Sequence, residues 1–142
     1  MRSTALTAPS WNKQSLIVER RPLHTQNCSD LVLQNLPFPP ALNNIFASTP
    51  HGRVKSDRYR TWRNAATWEI RLQKPRRVPG PVSIVFVLQD GGSRADLDDL
   101  AKAPIDLLCD LHLIDGDGPS VIREVTLRWG AIAGLRIEVR SA

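Results

Sequence analysis

The chain has 142 residues, enough for one domain with one core and too few for two ordinary ones. A net charge of +5 favours a polyanionic partner only modestly, since charge speaks of field and solubility rather than of chemistry. The apolar runs are far shorter than a membrane span, the N-terminus lacks the apolar stretch of a secretory signal, and the two cysteines, Cys28 and Cys109, have neither zinc nor disulfide spacing, so a reducing, cytoplasmic setting without membrane contact is expected.

Residues 1–29 are polar and without a sustained period, and read as a flexible arm preceding a single domain at 30–142. Arg2, Lys13, Arg20 and Arg21 against Glu19 make the arm basic. A first strand is predicted over 30–36, ended by Leu36-Pro37-Phe38-Pro39-Pro40, where the prolines remove ladder donors. Ala41 to Phe46 reads as a loop carrying Asn43 and Asn44, and His51 to Lys55 as a polar link. Ser56 or Asp57 caps a helix to about Leu72, with Tyr59, Trp62, Ala66 and Ile70 on one face. Tyr59, Trp62 and Trp68 are expected in the core. Residues 53–77 hold nine Lys or Arg against two acids, a local net of +7.

Residues 74–81 form a loop, and Val82 to Leu88, the most apolar run, reads as a buried strand. A turn-rich link leads to Asp96-Leu97-Asp98-Asp99-Leu100-Ala101-Lys102. A second helix is expected from about Asp98 to Leu111, its regular part starting near Lys102 because Pro104 is tolerated only in a first turn. His112 would cap its C-terminus. Asp115-Gly116-Asp117-Gly118 marks a turn, and strands at 121–129 and 132–139 are expected to pair as a hairpin. The fold class is therefore α+β: a single domain with a small mixed sheet of about four strands and two main helices, in the order β-α-β-α-β-β.

Residues 90–117 hold eight acids against two basic residues, a local net of −6. Clustered carboxylates repel one another unless a counterion is present, and a hard divalent metal prefers oxygen ligands. In an extended segment Asp96 and Asp98 point to the same side, whereas Asp99 faces elsewhere. Lys102 lies four residues from both Asp98 and Asp106, so it either forms helical ion pairs or offsets charge on a reacting phosphate. Carboxylates and a lysine without a histidine base fit metal-assisted phosphodiester hydrolysis, with one ion or two.

These motifs resemble the RusA-type Holliday-junction resolvases over roughly residues 31–140. Leu36-Pro37-Phe38-Pro39-Pro40-Ala41-Leu42-Asn43-Asn44 resembles the family's opening motif, followed by Gly52-Arg53, Ser56 and Tyr59-Arg60. Arg94-Ala95-Asp96-Leu97-Asp98-Asp99-Leu100-Ala101-Lys102 with Asp106-Leu107-Leu108 resembles its acidic signature. The resemblance implies a RusA-like fold and a homodimeric, Mg2+-dependent endonuclease cutting four-way junction DNA in recombination and repair. It makes Asp96, Asp98, Lys102 and Asp117 the expected catalytic residues, and Asp96, Asp98, Asp117 and Asp115 the expected metal ligands. The family's adjacent acids are here split by Gly116, and Asp117 is the preferred third carboxylate because its distance from Asp106 fits the family pattern better. Asp99 replaces the family's usual Asn. Asn43, Asn44, Arg53, Lys55, Arg60 and Arg94 are the expected DNA contacts. A non-catalytic junction binder and a nuclease for flaps or other branched DNA are the competing functions.

Overall fold

Val82–Gln89 (β4) is apolar on both sides, and such a strand must be covered above, below and along both edges. The computed structural model describes residues 30–142. In it β1 (Leu31–Leu36), β5 (Ile122–Gly130) and β6 (Leu135–Ser141) join β4 in a four-stranded mixed sheet of order β1-β6-β4-β5. A separate ribbon is formed by β2 (Phe46–Thr49) and β3 (Gly52–Lys55). Two helices complete the domain, α1 (Asp57–Gln73) and α2 (Lys102–Asp110). The architecture is thus a small α+β domain with a mixed sheet. The basic arm expected at 1–29, with Cys28, lies outside the described residues.

Three cross-strand rows build the core face: Leu31–Val139–Ile84, Leu33–Ile137–Phe86 and Leu36–Leu135–Leu88. All nine side chains are buried, and Tyr59, Trp62, Ala66 and Ile70 of α1 join them in one core with Ala103, Leu107 and Leu108 of α2. In β1 the third row is reached one residue late. Asn35 takes φ 60 and a bulge absorbs the extra residue, so Leu36 returns to the core side. Asn tolerates this left-handed conformation better than a branched residue would.

Helix α1 begins where its cap predicts. Ser56 Oγ accepts a hydrogen bond from the Tyr59 N–H at 3.1 Å and donates one to the Asn44 carbonyl at 2.6 Å. One hydroxyl therefore starts the helix and ties it to the asparagine turn. Trp62 sits one turn on and donates its indole N–H to the Pro37 carbonyl at 2.9 Å, anchoring the proline segment. Trp68 departs from expectation. It is 66% exposed, because its place on the helix faces away from the sheet.

Three other expectations are corrected. The strands at the C-terminus do not pair with each other: β5 runs parallel to β4 on one edge, and β6 antiparallel to it on the other. The chain hops across the end of β4, where the Gln89 N–H donates to the Gly134 carbonyl and the Asp90 N–H to the Gly130 carbonyl. Gly134 is required there, with φ 70 and the Leu36 carbonyl oxygen occupying the place a Cβ would need. Secondly, the segments at 41–46 and 51–55 are not plain loop and link. Leu42–Asn44 forms a 3-10 turn and β2–β3 a hairpin across Pro50-His51, closed by a Thr49 hydroxyl that donates to the Gly52 carbonyl at 2.6 Å. Its short, polar strands carry no apolar alternation. The regular part of the second helix begins at Lys102 as expected, with Pro104 buried in its first turn, and a 3-10 turn at Leu97–Leu100 precedes it. Lastly, His112 closes α2 through its backbone rather than its charge: it takes φ 58, its N–H donates to Cys109, and that of Leu113 donates to Leu108.

Replacing Ser56 by alanine is expected to cost about 1 kcal/mol from the cap, and more from the lost Asn44 tie. Urea unfolding should show a lower midpoint with an unchanged m value. An unaltered midpoint would show that the cap bears no load.

Candidate metal and nucleic-acid site

The acidic turn lies just beyond the C-terminal end of β4, the end at which open α/β sheets usually carry their ligand sites. Asp96 is extended, with φ −72 and ψ 152, and the chain then winds through Leu97–Leu100 as a 3-10 helix. That winding has three residues per turn, so side chains three apart eclipse. Asp96 and Asp99 are brought together in this way, and Asp98 joins them. One carboxylate oxygen from each of the three lies within 4.8 Å of the others. Asp99, expected to face elsewhere, belongs to the group, because the backbone is wound rather than extended. Leu100 is buried and pins the turn to the core.

The donor set suits a small divalent cation. An oxygen shell at about 2.1 Å from a magnesium ion spans roughly 4 Å between opposite ligands. Asp96 and Asp98 are exposed and free to make the small rotation that closes the remaining gap. All-carboxylate donors select Mg2+, Mn2+ or Ca2+ rather than zinc or copper.

The two downstream acids separate. The carboxylate of Asp115 is paired with the Arg77 guanidinium and accepts the Gly80 N–H at 2.8 Å. Gly80 precedes β4, so Asp115 braces the opposite end of that strand from the acidic turn. Neither Asp115 nor Asp117 shares the 4.8 Å group of Asp96, Asp98 and Asp99. The charge of Asp117 adds to the larger effect of Asp106 in raising the pKa of the Lys102 ammonium, and to burial in raising that of the Cys109 thiol.

Lys102 pairs with Asp106 at 3.1 Å, one helical turn on, and not with Asp98. The hydrogen bond and charge of Asp106, with a smaller contribution from Asp117, push its pKa above the usual lysine range. Lys102 is therefore a firmly charged ammonium, suited to offset negative charge and unsuited to accept a proton. Burial raises the Cys109 thiol, which makes it a poor nucleophile.

The expected contacts to DNA form two groups. The asparagine turn, with Asn43 exposed and Asn44 half-buried, touches the acidic turn directly. Arg94 is exposed on the link just before it. Arg53 and Lys55 lie on β3, stacked on the Phe46 ring at 4.7 and 4.6 Å, and Arg60 opens α1 with Asp57 at 3.2 Å. Asp99 was not among the expected site residues, and only the 3-10 geometry reveals it.

The folded-state pKa of Lys102 lies above the unfolded value of about 10.4, so the Lys102–Asp106 pair stabilises fully below that pH. Its contribution is lost as pH rises through the higher folded value. Asp106→Asn should lower the Lys102 titration midpoint, read from the side-chain carbon next to the ammonium by NMR. A midpoint that does not move would show that Asp106 does not govern the charge.

No protein-family model matches the chain, and no curated protein is significantly similar to it.

Proposed function

We propose that the protein is a metal-dependent endodeoxyribonuclease that hydrolyses phosphodiester bonds in branched DNA, with the four-way junction as its substrate. The observation that carries this reading is the convergence of Asp96, Asp98 and Asp99 within 4.8 Å on one turn, with Lys102 at the start of α2. The RusA-type pattern of proline, asparagine, acid and lysine motifs supports it. The segment 53–77, with its local charge of +7, supplies phosphate attraction on the same small domain.

When bound, Mg2+ supplies Lewis-acid polarisation and acidifies an attacking water. Asp96, Asp98 and Asp99 hold it. Lys102 places its positive charge where the phosphoryl group gains negative charge, and Asp106 orients that ammonium. Asn43 and Asn44 stand beside the turn as neutral hydrogen-bonding groups, with Arg94 as a cation at the rim. Exposure of Asp96 and Asp98 keeps the site open to a strand as bulky as DNA. A junction has approximate two-fold symmetry, so a homodimer would present one such turn to each of two equivalent strands.

Asp96→Asn and Asp98→Asn should each reduce junction cleavage by roughly a thousandfold or more, the scale expected when electrostatic stabilisation is removed. Binding in EDTA should survive. Cleavage at the wild-type rate by either variant would refute the site. Asp99→Asn should raise the Mg2+ concentration needed for half-maximal cleavage more than it lowers the saturated rate; an unchanged metal requirement would exclude Asp99 from the ligand set. A panel of junction, flap, fork and linear duplex in Mg2+ checks the substrate, and preferential cutting of flaps would replace the junction in this proposal.

A further inference from the structure

A cleft of about 430 Å3 is lined by Lys55, Tyr59, Arg60, Arg63, Asn64 and Asp110. Its floor is built by the first turns of α1. Tyr59 and Arg63 are one turn apart, as are Arg60 and Asn64, so the four form two adjoining rows on the helix surface. Lys55 reaches over from β3, its ammonium 4.6 Å from the Tyr59 ring centroid and 4.6 Å from that of Phe46. Three cations thus border one concavity, and Asp110 is the single acid on its wall.

Tyr59 is an unusual floor residue. It is 2% exposed, and its hydroxyl is buried beside the Arg63 side chain, with no well-formed hydrogen bond to it or to another described residue. A buried hydroxyl left unpaired costs stability, and such groups commonly mark a functional site. Burial, with the charges of Asp110 and Asp106, raises its pKa against the opposing effect of neighbouring Arg63, so the group stays a proton donor. Arg63 borders the cleft beside it and is held by Asp110 through an ion pair of 3.4 Å, with both side chains substantially exposed. Such an exposed pair is weak and readily exchanged for a better anion.

We propose that this cleft is a phosphate subsite, in which a backbone phosphate of the bound nucleic-acid strand draws Arg63 away from Asp110, so uncovering the Tyr59 hydroxyl, and accepts hydrogen bonds from Arg63, Asn64 and that hydroxyl. The proposal rests on the reading of the protein as a DNA-binding nuclease and assigns one anchoring point of that substrate. Helix α2 is the spacer. Lys102 stands at its start and Asp110 at its end, about 12 Å apart at 1.5 Å per residue. The subsite therefore grips a phosphate some nucleotides away from the one beside the acidic turn. A DNA strand is preferred to a free phosphate ion because Lys55 of β3 lines the cleft and Arg53, on the same strand, stacks with it on the Phe46 ring, so further cations stand nearby for neighbouring phosphates.

The test is equilibrium binding of fluorescent junction DNA in EDTA over a series of salt concentrations. Because no metal is present, the result stands whether or not the acidic turn cleaves. Tyr59→Phe keeps the ring and its packing, and should weaken binding roughly tenfold, the worth of a charge-assisted hydrogen bond. Arg63→Ala should weaken binding and lower the slope of log affinity against log salt by about 0.9, one phosphate contact. Asp110→Asn should do the opposite, tightening binding by roughly threefold, because it frees Arg63 and removes the wall's negative charge. A destabilised fold would not bind more tightly, so this variant separates the subsite from general damage. Wild-type affinity and slope in Tyr59→Phe and Arg63→Ala, or an Asp110→Asn protein that binds no better, would overturn the proposal. So would NMR shifts of Tyr59 and Arg63 produced by inorganic phosphate and not by DNA.

Discussion

The pairing of β4 along both of its edges is the constraint on which the rest of the molecule depends. Val82, Ile84, Phe86 and Leu88 fill the core side, and Val87 on the other side is also buried. A strand of this kind cannot lie at the rim of a sheet without exposing ladder groups beside an apolar surface. Parallel β5 and antiparallel β6 cover its two edges. Parallel pairing in turn requires a long crossover, and the crossover is where the acidic turn and α2 are found. The demand for burial along eight residues therefore leads to the placement of Asp96, Asp98 and Lys102 beyond the end of the strand.

Charge is distributed on the same scaffold by simple means. Acids lie on the crossover and basic residues on β3 and α1, and α1 and α2 pack against the same face of the sheet. Arg63 pairs with Asp110 across the seam between the helices and Lys102 with Asp106 within α2, and both pairs keep the two segments from acting as opposed blocks of charge. They also leave Asp96, Asp98 and Asp99 without a lysine or arginine partner among the ion pairs of the described residues. Three acids so placed repel one another, and a cation relieves that repulsion.

Local signals were legible where a single residue type decides the local geometry. Ser56 announced the start of α1, the spacing of Tyr59, Trp62, Ala66 and Ile70 its buried face, and Pro104 the start of α2 at Lys102. The identities of neighbouring strands were not legible. Alternation in β5 and β6 shows that each is half-buried, but a four-residue link that hops a strand end looks the same as a hairpin turn. The β2–β3 ribbon escaped notice because its strands bury little and its turn, Pro50-His51, lacks the usual Asn-Gly or Gly-Gly chemistry. In the site, a period of two gave Asp96 and Asp98 a common side, but the winding that recruits Asp99 depends on Leu100 docking into the core. The fates of Asp115 and Asp117 were decided by Arg77 and Lys102, each distant or ambiguous in the chain.

A 3-10 turn keeps its partners aligned only in steps of three. Adding or deleting one residue between Asp96 and Asp99 would swing a carboxylate by about 120° around the axis. The stretch from Gln89 to Ala95 sets no such phase for the carboxylates. Length variation should therefore be tolerated on one side of Asp96 and forbidden on the other, giving this short crossover a soft half and a rigid half separated by a single peptide.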